Sequence, residues 1–287
     1  MNSFFTDAQA QEAAADLYQK KLDELNIDHE SFYIESSFGN THIISTGKTD
    51  GPPLILLHGS NGCAPIAIEA LKGLLDNFKV FAIDVPGQPN LSEAFRPSMK
   101  NDEYGKWMSE VLSKLDVNQA VLVGISFGGF VCMKSLAFDA SRISKAFLIV
   151  PAGIVNGNPL TALRKVFLPM KLYKWKGNQR HIHKFLHALF SEKDEFAISF
   201  LAIIFQHFDM DFSPIPLIQK EEAQKIKTPI HLIAAEQDIF FPGKKMIKRV
   251  QALFPSLLST LLLENSKHVP SQVSNEKILT LIKQSMD

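Results

Sequence analysis

Six short runs of apolar residues set the rhythm of this chain. "PPLILLHG" (52–59), "FKVFAIDVPG" (78–87), "AVLVGIS" (120–126), "KAFLIVPAG" (145–153), "PIHLIAAEQD" (229–238) and "LLSTLLLEN" (257–265) each close on a turn-forming or polar residue. A strand with one wet face alternates apolar and polar residues. A strand covered on both faces is apolar throughout, and these runs are of that kind. Upstream, "SFYIESSFGNTHIISTG" reads as two strands joined by a turn at Phe38-Gly39-Asn40. Elsewhere the apolar spacing switches to three and four. That predicts helices over 102–115, 127–138, 243–254 and 273–285, and an amphipathic N-terminal helix over about 6–26. Strand and helix in alternation predict an α/β fold, a mostly parallel eight-stranded sheet flanked by helices.

One interval breaks the alternation. From Gly153 to Lys227 no strand-like run occurs, and helical patterns cover 160–175, 178–190 and 192–208. This is too long for an ordinary connection, so a helical cap inserted into the sheet domain is expected. The expected organisation is core over 1–152, cap over 153–226 and core again over 227–287. From Asn156 to Ser191 the cap has no acid, but it has Arg164, Lys165, Lys171, Lys174, Lys176, Arg180 and Lys184. A solvated cationic face is the plain expectation. Attraction of anionic substrates or of an anionic surface is the sharper one.

Composition narrows the class. Hydrophobic residues at 46% and charged residues at 21% allow a large core and argue against disorder. Zero formal charge gives no general attraction to nucleic acid. The two cysteines, Cys63 and Cys132, are too few for a disulfide scaffold and lack zinc-site spacing. The N-terminus lacks a basic segment followed by an apolar run, and no stretch is long enough for a membrane span. A soluble, cytoplasmic monomer or homodimer is expected, with no metal and no organic cofactor.

Candidate chemistry centres on Gly124-Ile125-Ser126-Phe127-Gly128. A G-x-S-x-G pattern arises by chance in about one chain in ten of this length, so its context decides. Here it follows a predicted strand and precedes a predicted helix, as a nucleophile elbow requires. Gly124 and Gly128 remove side chains that so sharp a turn could not hold. The N–H of Phe127, at the helix start, is the natural first oxyanion donor. A serine needs a base, and His268 lies just beyond the last strand-like run; the base needs a carboxylate, and Asp238 closes the run before it. The order Ser126, Asp238, His268 is that of α/β-hydrolases, not of the chymotrypsin or subtilisin arrangements. "LLHGSNG" (56–62) ends an earlier strand and offers a second oxyanion donor in the N–H of Ser60, with Asn61 as the alternative. His58 reads as a structural loop residue. The side chains of Ile125 and Phe127 are expected to face the substrate.

With these residues in view, the chain resembles α/β-hydrolase-fold serine hydrolases with a helical cap, close to bacterial carboxylesterases. The resemblance is carried by His58-Gly59, the "AIDVPG" stretch with Asp84 and Gly87, the elbow from Gly124 to Gly129, Asp238 and His268. It implies cleavage of small or medium carboxylic esters through a Ser-His-Asp triad and an acyl-enzyme. Carbon–carbon bond hydrolysis, perhydrolase activity and a non-catalytic ligand-binding role are the alternatives. The chain departs from the family in two places. Gln88-Pro89-Asn90-Leu91 separates Gly87 from Ser92, and Lys267 precedes His268 where a glycine is usual. Cap aromatics Phe167, Tyr173, Trp175 and Phe205 are candidate pocket walls but read first as cap core. His183 and His187 have zinc-like spacing, but the following Glu and a third ligand are lacking, so they read as surface or packing residues.

Overall fold

All eight strands pair into one sheet in the computed structural model, which describes residues 3–286. They are β1 (His29–Ser36), β2 (Gly39–Gly47), β3 (Pro53–Leu57), β4 (Lys79–Ile83), β5 (Ala120–Ile125), β6 (Ile143–Ile149), β7 (Ile230–Ala235) and β8 (Leu257–Leu263), in the order β1-β2-β4-β3-β5-β6-β7-β8. Only β2 runs against its neighbours. The apolar runs are divided between the two faces by the strand period of two. Leu54, Leu56, Val121, Val123, Phe147 and Ile149 enter one core layer, and Ile55, Leu57, Leu122, Ala146 and Leu148 the other. The first turn sits one residue earlier than expected. Ser36 pairs with Gly39, leaving a Ser37-Phe38 loop, and the Ser36 hydroxyl donates to the Gly39 carbonyl.

The described residues form eleven α-helices: α1 (Ala8–Glu24), α2 (Ala64–Ala70), α3 (Glu103–Lys114), α4 (Phe127–Phe138), α5 (Pro159–Ala162), α6 (Leu168–Lys176), α7 (Gln179–Leu189), α8 (Glu195–His207), α9 (Lys220–Lys225), α10 (Gly243–Leu253) and α11 (Gln272–Gln284). A π turn, Leu163–Phe167, fuses α5 and α6 into one run. Helices α2 and α9 have no counterpart among the helices predicted from spacing; at seven and six residues they are too short to display a period. Helices α5 to α8 all fall between β6 and β7. Near the end of that interval the chain returns to the core: Ile218, Ala223 and Ile226 are buried in the layer under α4, and Lys134 pairs with Glu222 at 2.7 Å.

The order of the strands locates the site. The chain leaves β3 for β4 on one side and then crosses to β5 on the other. Connections diverging from adjacent parallel strands open a crevice at their carboxyl ends. The turn after β3 and the serine after β5 line that crevice.

A buried carboxylate ties the N-terminal helix to this edge. Asp84, fully buried beyond β4, accepts from the Ala64 N–H at the start of α2 (2.8 Å), the Tyr18 hydroxyl of α1 (3.0 Å) and His42 Nδ1–H of β2 (2.9 Å). Burial and the neighbouring carboxylate hold the Tyr18 hydroxyl far above the usual phenol range, so it stays a donor. Tyr18→Phe leaves the ring in place and removes one bond to a charged acceptor. It is expected to lower the unfolding free energy by about 1.5–3 kcal/mol, read as a lower urea midpoint at unchanged m-value.

Candidate active site

Ser126 sits between β5 and α4 at φ 54° and ψ −109°, in the left-handed half of φ/ψ space that a side chain rarely tolerates. Its backbone is held by hydrogen bonds at both ends. The Ser126 N–H donates to the Ile149 carbonyl at 2.9 Å, and its carbonyl accepts from Gly129 N–H (3.0 Å) and Ala152 N–H (3.0 Å). The flanking glycines are there for close approach. A Cβ on Gly124 would lie 2.6 Å from Cys132 Sγ, and one on Gly128 would lie 2.8 Å from the His58 carbonyl oxygen. Strand, helix and the β3 turn can meet only because these side chains are missing.

His268 bridges two partners. Its Nδ1 lies 2.7 Å from Asp238 Oδ2, and its Nε2 lies 3.0 Å from Ser126 Oγ. An ionised carboxylate only accepts, so Nδ1 carries the proton and Nε2 is free to accept the serine hydroxyl. Asp238 is buried, and its second oxygen accepts from the N–H groups of Phe240 (2.8 Å) and Phe241 (3.0 Å). Both rings stand edge-on to the imidazole with centroids 5.4 Å away, which shields the pair from water. Sequence reasoning missed these two phenylalanines, although "IFF" follows the aspartate directly.

The unusual Lys267 has a defined place. Its ammonium donates to the His187 carbonyl in the last turn of α7 at 2.6 Å, and its N–H donates to Ser191 Oγ at 2.9 Å. Val269 exchanges backbone bonds with Leu189 and Ser191 (2.8 and 3.0 Å). The histidine loop is thus stitched to the chain leaving α7. His183 and His187 themselves are exposed.

The turn after β3 faces Ser126, close enough that a Cβ on Gly59 would be 3.9 Å from its Oγ. Neither the Ser60 N–H nor the Phe127 N–H donates to a protein acceptor among the described residues. The Asn61 N–H is already occupied, donating to Gln88 Oε1 at 2.8 Å. Of the two expected donors in this turn, only Ser60 is left free, and the departure after Gly87 is what occupies the other.

Two expectations about side chains change. The Phe127 ring faces the core, packed on Tyr104 (5.4 Å) and Phe130 (5.7 Å), because it is the first residue of a helix whose inner side covers the sheet. Ile125 is half-buried against the cap-side layer. Tyr173 and Phe205 are cap core, whereas Phe167 and Trp175 are exposed to solvent. Both cysteines are buried, and burial pushes their thiols far above the usual range, so neither is a nucleophile.

A second set of the same residue types provides a contrast. Ser31 Oγ is 2.6 Å from His42 Nε2, and His42 Nδ1 is 2.9 Å from Asp84 Oδ2. Yet Ser31 lies within the regular ladder of β1, opposite Ile44, and no helix begins after it. It has the relay without the elbow.

These features define an α/β hydrolase, and the comparisons agree. The alpha/beta hydrolase fold family matches residues 52–202, more than half of the chain, and the chain belongs to that family. Among curated proteins it is 24% identical over 281 residues to an uncharacterized carboxylesterase, nap, of Bacillus subtilis (91% of this chain, 89% of the relative). It is also 24% identical over 284 residues to carboxylesterase YbfK of the same organism (92% of each). Among solved structures, naproxen esterase (carboxylesterase NP) from Bacillus subtilis superposes with a TM-score of 0.82 at 20% identity, covering 96% of this chain and 97% of that one.

His58 supports the turn from below. Val85 N–H donates to its Nε2 at 3.0 Å, so Nδ1–H donates to the Gly59 carbonyl at 2.8 Å. Burial lowers its pKa, Asp84 opposing. The folded state therefore binds this proton less readily than the unfolded chain does. Stability from His58 is complete above the unfolded value of about 6.5 and is lost as pH falls below it. The unfolding free energy of the wild type is expected to fall as pH drops below about 6.5, by up to about 1.4 kcal/mol per pH unit from this group, read by denaturant titration at each pH. His58→Asn is expected to flatten that slope.

Proposed function

We propose that the chain is a carboxylesterase in which Ser126 is the nucleophile, His268 the general base and acid, and Asp238 the carboxylate that orients and stabilises the imidazolium. The observation that carries this reading is the relay of 3.0 and 2.7 Å meeting a strained serine beside two unoccupied N–H groups. Ser126 Oγ attacks the ester carbonyl as its proton passes to His268 Nε2. The oxygen, now negative, is received by the N–H groups of Phe127 and Ser60. His268 returns the proton to the departing alcohol, and water then cleaves the acyl-enzyme by the same path. No step needs a metal or organic cofactor. The similarity to two Bacillus carboxylesterases over nine-tenths of the chain favours esters over other substrates of the fold. Within this reading the cap is the stretch of about 156–210, narrower than 153–226, since Gly153 and Ile218 are bonded to one another and the latter packs in the core.

The test is labelling with a fluorophosphonate, followed by peptide mapping. The adduct is expected on Ser126 and not on Ser31, and Ser126→Ala is expected to abolish labelling and reduce kcat on p-nitrophenyl esters by roughly 10⁴-fold or more. An unlabelled wild type that hydrolyses no ester of any chain length defeats the reading. Activity confined to vinylogous diketones would favour carbon–carbon hydrolysis instead.

Gln88 is proposed as a positioning residue for the second donor. Gln88→Ala frees the Asn61 N–H and lets the Ser60 turn relax. A fall of roughly tenfold in kcat with little change in KM is expected, short of the full loss of one oxyanion donor. A change in KM alone would mean that Gln88 acts on binding rather than on the oxyanion.

A further inference from the structure

We propose that the outer face of the helical run 159–176 is a docking surface for an anionic lipid bilayer. Of the eleven large apolar residues exposed among the described residues, five lie on this run: Leu160, Leu163, Phe167, Leu168 and Trp175. A sixth, Phe212, rests edge-on against Phe167 at 6.2 Å. The opposite side of the run is fully used, since Val166, Met170 and Tyr173 are buried in the cap. The helix thus has two apolar sides, and one of them has no cover. Exposed apolar groups scattered singly are ordinary; a cluster on one surface marks a binding face.

Charge identifies the occupant. Arg164, Lys165, Lys171 and Lys174 are exposed among these apolar residues, and Lys176 lies over the Trp175 ring at 5.0 Å. None of them is ion-paired with a described residue. From Asn156 to Ser191 there are seven Lys and Arg and no acid, in a chain of zero net charge, so the remainder carries seven more acids than bases. The molecule is polarised, and its positive end is also its apolar end. Cations attract an anionic headgroup layer while Leu, Phe and Trp enter the acyl boundary, and Trp is the residue best suited to that depth. A second copy fits poorly, because a two-fold contact through this face would set two cationic surfaces against each other. No described helix is long and apolar enough to cross a bilayer, so the contact is peripheral.

The experiment does not depend on the esterase reading. Trp175 is one of only two tryptophans, and the other, Trp107, is fully buried, so a change in emission reports this face. Full-length protein is titrated with phosphatidylcholine vesicles, with and without about one-third phosphatidylglycerol, and partition is read by co-sedimentation and by the blue shift of emission. Binding is expected only with the anionic lipid, and at least about tenfold weaker in about 0.5 M salt. Lys171→Glu combined with Lys174→Glu is expected to weaken it by at least about tenfold, and Trp175→Ala to weaken co-sedimentation by a similar factor. Unchanged thermal midpoints would establish that these variants are folded. Three outcomes overturn the proposal: no partition, equal partition into neutral vesicles, or variants that bind as the wild type does. A lipid-free dimer in light scattering that Trp175→Ala dissociates would give the surface to a second copy.

Discussion

The arrangement depends on a carboxylate with no access to water. A buried charge is tolerable only when its oxygens are saturated. Asp84 meets that requirement by drawing on three elements that are otherwise separate: the hydroxyl of Tyr18 from α1, the imidazole of His42 from β2 and the first N–H of α2. Each bond has a structural consequence. The α2 bond fixes where the chain re-enters regular structure after the Gly59–Gly62 turn. The α1 bond anchors a helix whose own N-terminal neighbours reach the cap, with Phe5 bridging Phe208 and the Thr6 N–H donating to His207. Core, turn and cap are therefore referred to one point under the β4 end.

The two Ser-His-Asp sets in this molecule separate what geometry between side chains supplies from what the backbone supplies. Their heavy-atom distances are alike, 2.6 and 2.9 Å in one set and 3.0 and 2.7 Å in the other. The difference lies in conformation. Ser31 is an ordinary strand residue, whereas Ser126 is forced to positive φ, which turns its hydroxyl out of the sheet and delivers the first turn of α4 beside it. Such strain costs roughly 1–3 kcal/mol and persists only where surroundings over-determine it. Here they do: the Ile149, Gly129 and Ala152 bonds, and the two glycines whose absent side chains let α4, β5 and the β3 turn come together.

Much of this was legible in the sequence because it follows from period and residue type. Strands buried on both faces announce themselves as apolar runs, and an α/β sheet with the site at its carboxyl edge follows. Ser126, Asp238 and His268 each close or follow such a run, so their convergence could be read from position alone. What could not be read are contacts between a side chain and a distant backbone group. Gln88 is 27 residues from Asn61, and Lys267 is 80 from His187; neither pairing leaves a periodic trace. The Phe127 ring departs from the expected direction for a related reason, since the elbow motif specifies its N–H, while the ring obeys the helix that it begins. The exposed side of the α6 run escaped too, because an apolar residue in a helical pattern reads as core until its neighbours are known.

The lysine before His268 bears on how the cap can move. Ser126 and Asp238 are held by the core, whereas the residues on either side of the histidine are also tied to the cap. Val269 is bonded to Leu189 and Ser191, and Lys267 to His187 and Ser191. A rigid swing of the whole cap would carry residues 187–191 away, and so would either break these bonds or strain the 3.0 Å contact of the imidazole with Ser126. The helical run 159–176 contributes none of these bonds to the histidine loop. If the relay stays assembled, residues 187–191 stay in place, and the run 159–176, whose outer face is cationic and apolar, is among the parts of the cap free of that tie. A surface that seats this run would therefore touch none of the bonds that hold the loop of His268.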